Sequence, residues 1–269
     1  MSVDILKSVV NGVGIEYFTF GTGDRPLVVL PGLSIKSITL YKDAVAETLG
    51  LFGKDFKVYV FDRREDIPEI YTVEMMAQDY INAFEDIGLK DISVYGISQG
   101  GMIALSIAVQ RQDIVSAIVV GSSAARISPC TAETIEEWNR FAALKDEENL
   151  VLSFGKKVYT KGFFEQYKNA IVEANRGITG EEFCRLVRLT GKMNSFDVFD
   201  RLSEIKCPIM ILAGREDEII PVSESIEMSA KLGCDLHIFG GYGHAVYDEN
   251  PEFKEVALKF LSKVRVSAV

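Results

Sequence analysis

The sequence of 269 residues predicts an α/β fold, in which a mostly parallel, eight-stranded twisted sheet has helices on both faces and a helical cap insertion. Short apolar runs alternate with longer stretches whose apolar residues recur at helical spacing, an order typical of parallel strands joined by helices. The alternation stops between about Arg126 and Ile205, where the patterns are mostly helical and rich in aromatic residues. We therefore predict a core of residues 1–125 and 206–269 and a cap of residues 126–205.

The first part of the predicted core begins with a hairpin. Asn11-Gly12 separates two apolar runs, and both central residues of a type I′ turn need a positive φ. The run Leu27–Leu30 is continuously apolar, which is typical of a strand buried on both faces, and Pro31-Gly32 ends it. The predicted elements here are strands at 5–10, 15–20 and 27–30, a helix at about 37–49, and a strand at 57–61 that Asp62 closes.

Helix and strand signals continue on both sides of the predicted cap. Thr72 is a candidate helix N-cap, Glu74 stands in the first turn of that helix, and Gly88 stops it. The last predicted helix follows Pro251. The remaining predicted elements are strands at 92–95, 114–120, 208–213 and 235–239 and helices at 102–109 and about 222–232.

Composition and charge exclude several classes of protein. The fractions of 48% apolar and 25% charged residues are those of a soluble globular domain. A net charge of −10 disfavours binding to nucleic acid phosphates. The longest apolar runs, such as Pro208–Ala213, are too short to cross a bilayer, and the first ten residues do not resemble a secretory signal. We expect a small-molecule partner, neither nucleic acid nor membrane, and the sequence leaves the oligomeric state open.

The scarcity of histidine restricts both metal binding and base chemistry. The chain contains two histidines, His237 and His244, and four cysteines with no C-x-x-C pair. A structural zinc site needs clustered cysteine and histidine ligands, so no metal site is predicted. Isolated thiols are typical of a reducing compartment, and we therefore expect a cytoplasmic protein.

A candidate nucleophile stands in the segment Gly96-Ile97-Ser98-Gln99-Gly100, between a predicted strand and a predicted helix. A serine on such a sharp turn needs glycines two residues away, because a Cβ there would clash with the neighbouring backbone. The turn would lift the Ser98 hydroxyl above the sheet. A dinucleotide-binding loop and a glycine turn with an incidental serine are alternatives, but the Ser98 side chain would block the pyrophosphate in the first of them.

A nucleophilic serine needs a base and an acid that orients the base, and candidates for both follow predicted strands. The loop from Gly214 to Pro221 contains three adjacent carboxylates, at residues 216–218. His244 lies in a glycine-rich loop after a strand, whereas His237 lies within that strand, where packing is the simpler role. Catalytic groups of open α/β sheets collect at the carboxyl ends of the strands, which favours His244 as the base.

These residues resemble the α/β-hydrolase superfamily, as a serine hydrolase with a helical cap, over nearly the whole chain. The resemblance rests on the turn at Ser98, a G-x-x-D-x-x-x-P loop from Gly214 to Pro221, and Gly243-His244 followed by Glu249-Asn250-Pro251, all in the family's order. It implies a catalytic triad of Ser98, Asp217 and His244. Glu216 and Glu218 would then be solvated neighbours of Asp217.

The resemblance also implies an oxyanion hole in the loop after the third strand. Its two donors would be the backbone N–H groups of Leu33 and Gln99, which would stabilise the negative oxygen of a tetrahedral intermediate. Many relatives have His-Gly where this chain has Pro31-Gly32, but the donors are backbone groups and do not depend on that side chain. The resemblance implies no cofactor and no metal.

The reaction that the resemblance implies is acyl transfer to water through an acyl-Ser98 intermediate. We expect hydrolysis of a carboxylic ester or lactone of a small, largely apolar substrate. The same triad is compatible with carbon–carbon bond or thioester hydrolysis, and a slow-turnover ligand receptor of the same fold is an alternative from another class. A serine in the turn argues against the haloalkane dehalogenase and epoxide hydrolase branches, which have an aspartate there.

Aromatic side chains of the predicted cap bear on the choice of substrate. They form an apolar lid over Ser98, or they pack the cap helices against each other and onto the core. The residues concerned are Trp138, Phe141, Phe154, Tyr159, Phe163, Phe164, Tyr167, Phe183, Phe196 and Phe199.

Overall fold

A computed structural model describes residues 3–264 and contains one eight-stranded sheet with helices on both faces, which confirms the predicted fold class. The strands are β1 (Ile5–Val10), β2 (Val13–Phe20), β3 (Arg25–Leu30), β4 (Phe56–Arg64), β5 (Ile92–Ile97), β6 (Val115–Gly121), β7 (Ile209–Gly214) and β8 (Asp235–Phe239). The α-helices are α1 (Lys42–Thr48), α2 (Val73–Asp86), α3 (Gln99–Gln110), α4 (Pro129–Ala143), α5 (Glu147–Val158), α6 (Lys161–Ala174), α7 (Gly180–Thr190), α8 (Val222–Leu232), α9 (Val246–Glu249) and α10 (Pro251–Lys263).

The strand order in the sheet is β1-β2-β4-β3-β5-β6-β7-β8. The β1–β2 and β2–β4 pairs are antiparallel and the pairs from β4 to β8 are parallel. The predicted hairpin is present, with φ of 51° at Asn11 and 80° at Gly12. The carboxyl ends of β3, β5, β7 and β8 therefore lie along one edge of the sheet, where the loops that contain the candidate residues emerge.

Two hydrophobic clusters cover the two faces of the sheet, because alternate residues of a strand point to opposite sides. In β3, Val28 and Leu30 join the cluster that contains the buried residues of α2 and α3. Leu27 and Val29 join the other cluster, which contains the buried residues of α10. The run 27–30 is buried on both faces, as its continuous apolar sequence predicts.

Strand β4 is longer than the sequence predicts, because the predicted strand ends at Phe61 with Asp62 as its stop. The strand continues to Arg64, which pairs with Ile15 of β2. Asp62 and Arg63 are buried, with 6% and 4% of their surface exposed. The extension is possible because the neighbouring strand supplies backbone partners and both buried charges form hydrogen bonds.

Two helix boundaries also differ from the prediction. The helix expected at 37–49 is a 3₁₀ turn at Ile38–Tyr41 followed by the short helix α1, and the Ser37 hydroxyl caps the turn by accepting from the N–H of Thr39. Helix α3 begins at Gln99 rather than at Met102, directly after Ser98. The candidate nucleophile therefore occupies the N-cap position of a helix.

Helices α4 to α7 lie in the β6–β7 segment, by which we mean residues 122–208. Its two ends meet, since Arg126 forms an isolated antiparallel bridge with Asp197 and the N–H of Val198 donates to the carbonyl of Ala125 at 2.8 Å. The segment is mostly helical, as the sequence predicts between residues 126 and 205. Among residues 3–264, no helix is both long enough and apolar enough to span a membrane.

Candidate active site

Ser98 lies between β5 and α3 in a backbone conformation that is rare for a residue with a side chain. Its φ is 53° and its ψ is −121°. Such a conformation costs about 1–3 kcal/mol and persists only where the surrounding structure enforces it. The neighbouring structure does so here, because the N–H of Ser98 donates to the carbonyl of Gly121 at 2.8 Å and the Ser98 carbonyl accepts from Ser123 Oγ at 2.7 Å.

The glycines on either side of Ser98 are required by close backbone contacts. A Cβ at Gly96 would lie 2.6 Å from the carbonyl oxygen of Gly100. A Cβ at Gly100 would lie 1.9 Å from the carbonyl oxygen of Leu30. The steric requirement inferred from the G-x-S-x-G spacing is therefore visible at both positions.

The structure brings together Ser98, His244 and Asp217. Ser98 Oγ is 3.0 Å from His244 Nε2, and His244 Nδ1 is 2.7 Å from Asp217 Oδ2. His244 and Asp217 are 3% and 7% exposed. Both follow strand ends, Asp217 after β7 and His244 after β8, and they reach Ser98 from the same edge of the sheet. This arrangement can pass the hydroxyl proton of Ser98 to an imidazole that a carboxylate orients.

The backbone of the loop after β7 distinguishes Asp217 from its two acidic neighbours. Asp217 Oδ1 accepts from the N–H groups of Ile219 and Ile220, each at 2.9 Å, which leaves Oδ2 for His244. Glu216 and Glu218 are exposed, and Glu216 accepts instead from the N–H of Gly241. The fixed orientation of the Asp217 carboxylate follows from its two backbone donors.

His237, the other histidine, does not reach the site. It lies in β8, at the edge of the sheet, and its ring packs 4.4 Å from the ring of Phe239. This position agrees with the packing role that the sequence favours. No group of three or more His, Cys, Asp or Glu side chains within residues 3–264 is arranged to hold a metal ion.

The two predicted oxyanion donors lie beside Ser98. Gln99 is the first residue of α3, so its N–H has no partner within the helix. Leu33 follows Gly32, and a Cβ on Gly32 would be 3.2 Å from Ser98 Cβ, so this loop packs directly on the nucleophile. Within residues 3–264, the N–H groups of Leu33 and Gln99 donate no hydrogen bond. They remain available to an oxygen bound next to Ser98.

Two cavities adjoin the site. The smaller has a volume of about 40 Å³ and is lined by Ser98, His244 and mostly apolar residues. The larger, of about 540 Å³, extends between α1 and the start of α10. Five residues line both cavities, so that the two are adjacent; they are Gly32, Leu33, Phe154, Val158 and Tyr247.

The aromatic side chains of the β6–β7 segment divide between the two roles that the sequence left open. Trp138 and Phe154 line the cavity at Ser98, and Phe154 and Tyr159 line the larger one. Phe163 instead stacks on Tyr159, with ring centroids 5.0 Å apart, and belongs to the packing of the segment. Most of the aromatic residues in the segment line neither cavity.

Three charged residues line the larger cavity, and two of them, Asp248 and Lys254, fit an ordinary amphipathic helix end in the sequence, which gives no signal of a functional site. Lys254 is only 8% exposed and donates to the carbonyl of Tyr247 at 3.1 Å. Asp248 also lines the cavity, and it is exposed, so that the surrounding protein removes only part of its water. This desolvation raises the pKa of the Asp248 carboxyl to about 6, although the positive charge of Lys254 opposes the shift, and Glu249 adds to it.

The raised pKa of Asp248 predicts a pH-dependent effect on stability. Because the folded pKa lies above the ordinary value of 3.8, ionised Asp248 is unfavourable in the folded protein above about pH 6, and the penalty disappears as the pH falls towards 4. Asp248→Asn is therefore expected to raise the melting temperature at pH 8 only slightly, because the residue is exposed and solvent screens its charge, and by still less towards pH 4.5. Calorimetry across this range measures it, with Asp200→Asn as a control for losing one exposed charge. An equal shift at both pH values would contradict the assignment.

The sequence profile of the alpha/beta hydrolase family matches residues 27–254 of this chain. The chain belongs to the alpha/beta hydrolase family. Its relatives include a protein of Caulobacter sp. (strain K31) named as a carbamate hydrolase, RutD. The two chains are 25% identical over an alignment that covers 95% of this chain and 98% of the relative. The 3-oxoadipate enol-lactonase 2 of Acinetobacter baylyi is 20% identical over 79% of each chain.

Solved structures with a similar fold agree with the assignment of this chain to the family. MGS-M2, an alpha/beta hydrolase enzyme from a Medee basin deep-sea metagenome library, is 25% identical, with a TM-score of 0.86 over 98% of this chain and 99% of its own. A thermophilic esterase from Thermogutta terrifontis has the same fold, with a TM-score of 0.80 at 21% identity over 99% and 100% of the two chains.

Proposed function

We propose that this α/β hydrolase cleaves a carboxylic ester or lactone of a small, largely apolar substrate through an acyl-Ser98 intermediate. The observation that carries the proposal is the continuous hydrogen-bonded series from Ser98 Oγ to His244 at 3.0 Å and from His244 to Asp217 at 2.7 Å. The series faces a cavity with mostly apolar walls. Relatives named as an enol-lactonase, an esterase and a carbamate hydrolase also support an acyl-carbonyl substrate.

In the proposed reaction, Ser98 Oγ attacks the carbonyl carbon while His244 Nε2 accepts the hydroxyl proton. Asp217 holds the imidazole in the required orientation and stabilises its positive charge. The carbonyl oxygen becomes an oxyanion and accepts from the N–H groups of Leu33 and Gln99. The intermediate collapses to an acyl-serine as His244 gives its proton to the leaving alcohol oxygen. Water, activated by His244, then releases the carboxylic acid and restores the Ser98 hydroxyl.

We also propose that residues 126–205 act as a cap on a core of residues 1–125 and 206–269. Side chains from α4, α5 and the turn after α7 line the cavity at Ser98 together with core residues, and examples are Trp138, Phe154 and Met193. A substrate in this cavity would contact both parts of the chain. The cap would therefore determine the shape of the acyl or alcohol pocket.

A cytoplasmic location belongs to the same proposal. All four cysteines are free thiols, and Cys130 and Cys184 are exposed. Exposed free thiols persist in a reducing compartment. The proposed partner is a small-molecule substrate, and the proposed reaction uses no metal and no cofactor.

A substrate panel tests the proposed function. The panel contains 4-nitrophenyl esters from acetate to octanoate, γ- and δ-lactones, and acyl thioesters, each followed over many turnovers. We expect the largest kcat/KM for a short acyl ester or a lactone, because the space at Ser98 is small and apolar.

Other outcomes of the panel would overturn the proposal. A preference for thioesters would identify a thioester hydrolase. A single slow acylation with negligible turnover on every substrate would favour a receptor that retains the triad.

A further inference from the structure

We propose that Arg63 is a positioning residue, which holds the two backbone segments whose N–H groups would form the oxyanion hole. The inference rests on the proposed function, because it assigns a role in the hole formed by Leu33 and Gln99. Arg63 lies at the end of β4 and does not contact Ser98 or the cavity at Ser98. Its role would be exerted through the two backbone segments that supply the donors.

The guanidinium of Arg63 holds both of these segments at once. Nη2 donates to the carbonyl of Pro31 at 2.7 Å and to Gln99 Oε1 at 3.0 Å, and Nε also donates to Gln99 Oε1, at 3.2 Å. Pro31 stands two residues before Leu33, and Gln99 is itself the second donor residue. A planar guanidinium with fixed N–H directions sets the distance between the two acceptors, which a flexible side chain could not do.

The far side of the Gln99 amide is held by the β6–β7 segment. Gln99 Nε2 donates to the carbonyl of Leu189, at the end of α7, at 2.9 Å, and to the sulfur of Met193 at 3.2 Å. Gln99 is completely buried. Its side chain is therefore fixed between Arg63 and the end of α7, which restrains the first residue of α3 and the direction of its N–H.

Arg63 is also unusual as a buried charge. It is 4% exposed, yet within residues 3–264 it forms no salt bridge. The adjacent carboxylate of Asp62 pairs instead with Arg185 of α7 at 2.8 Å. Because a buried cation without an anionic partner is costly, the Arg63 guanidinium depends on the neutral oxygens of Pro31, Gln99 and Tyr80, which ties it to these segments.

A purely structural role is the competing explanation, because Arg63 Nη1 also donates to the hydroxyl of Tyr80 at 2.8 Å and links β4 to α2.

Arg63→Gln is expected to lower kcat about 10- to 100-fold, somewhat less than the loss of an oxyanion donor, with KM changed less than about twofold. The inhibition constant of a trifluoromethyl ketone, whose adduct places an oxyanion in the hole, is expected to rise by the same factor as kcat/KM falls.

Two control variants separate positioning from stability. Tyr80→Phe removes the structural partner of Arg63 but neither contact to the hole, so it is expected to lower stability and leave kcat unchanged. Arg64→Gln removes the adjacent arginine, which pairs with Asp79 at 3.3 Å, and is also expected to leave kcat unchanged. If Arg63→Gln does not fold, Gln99→Ala serves instead, because it removes the acceptor and keeps the backbone N–H.

The outcomes distinguish failure of this proposal from failure of the proposed function. If Ser98→Ala retains full activity, the proposed function is wrong. If Ser98→Ala is inactive while Arg63→Gln and Gln99→Ala both keep the wild-type kcat and inhibitor affinity, only the positioning role is wrong. A fall in kcat without a matching loss of trifluoromethyl ketone affinity would assign Arg63 a structural role. In the Arg63→Gln/Gln99→Ala double variant, we expect an effect smaller than the product of the single effects.

Discussion

Ser98→Ala is expected to lower kcat for the best ester of the panel by roughly 10⁴- to 10⁶-fold, the usual result of removing a catalytic serine. The alanine side chain leaves His244 Nε2 with no hydroxyl 3.0 Å away, so that no acyl-enzyme can form. The same variant is expected to lose covalent labelling by a fluorophosphonate. Steady-state hydrolysis and intact-protein mass spectrometry measure the two effects.

The matched control for this variant is Ser122→Ala. Ser122 follows β6 beside the turn at Ser98 and, like Ser98, has a positive φ, of 45°. Its buried hydroxyl has no hydrogen-bond partner among the described residues, so its removal leaves no acceptor or donor unpaired. Ser122→Ala is expected to keep both activity and labelling. Labelling of Ser98→Ala at the wild-type level would exclude Ser98 as the nucleophile.

The parts of the candidate site that could be predicted from the sequence are those fixed by local turn geometry or by a position at the end of a strand. The turn at Ser98 needs its own glycines, and its strand and helix are recognisable on either side. Asp217 and His244 are far from Ser98 in the sequence, but each follows a strand whose carboxyl end must meet the same edge of the sheet. The family resemblance favours Asp217 over Glu216, and the backbone N–H groups of Ile219 and Ile220 orient the Asp217 carboxylate towards His244.

Arg63 could not be predicted because no turn or loop motif identifies its partners, which are also distant in the sequence. It hydrogen-bonds to Tyr80, Pro31 and Gln99, which are 17, 32 and 36 residues away. In the sequence, Asp62-Arg63-Arg64-Glu65 is a run of charges, and such a run normally marks a solvated strand end. Only the assembled sheet shows that β4 continues through it.

The β6–β7 segment shows a different limit. A helix that packs on the core and a helix that lines a cavity both need an apolar face, so periodicity cannot distinguish Trp138 at the cavity from Phe183 in the packing. Lys254 is a similar case on α10. Its neighbour Phe253 identifies the buried face of the helix, but nothing in the sequence indicates that the lysine side chain also turns inwards.

Gly100→Ala is expected to reduce the free energy of unfolding by at least about 3 kcal/mol, at the upper end of overpacking effects. The new Cβ would lie 1.9 Å from the carbonyl oxygen of Leu30 and 2.7 Å from that of Pro31, and backbone atoms cannot rotate away as a side chain does. Helix α3 would have to separate from β3. Urea unfolding measures the loss, and the melting temperature is expected to fall by roughly 10 °C.

The control for Gly100→Ala is Gly162→Ala in α6, where an added Cβ meets no atom within 4 Å. Alanine favours a helix over glycine by up to about 1 kcal/mol, so this variant is expected to be as stable as the wild type or slightly more so.

The clash at Gly100 also pushes on the Pro31 carbonyl that accepts from Arg63. The folded fraction of Gly100→Ala is therefore expected to show a lower kcat as well. Wild-type stability of Gly100→Ala would mean that β3 and the turn at Ser98 do not pack as closely as the steric requirement for glycine implies.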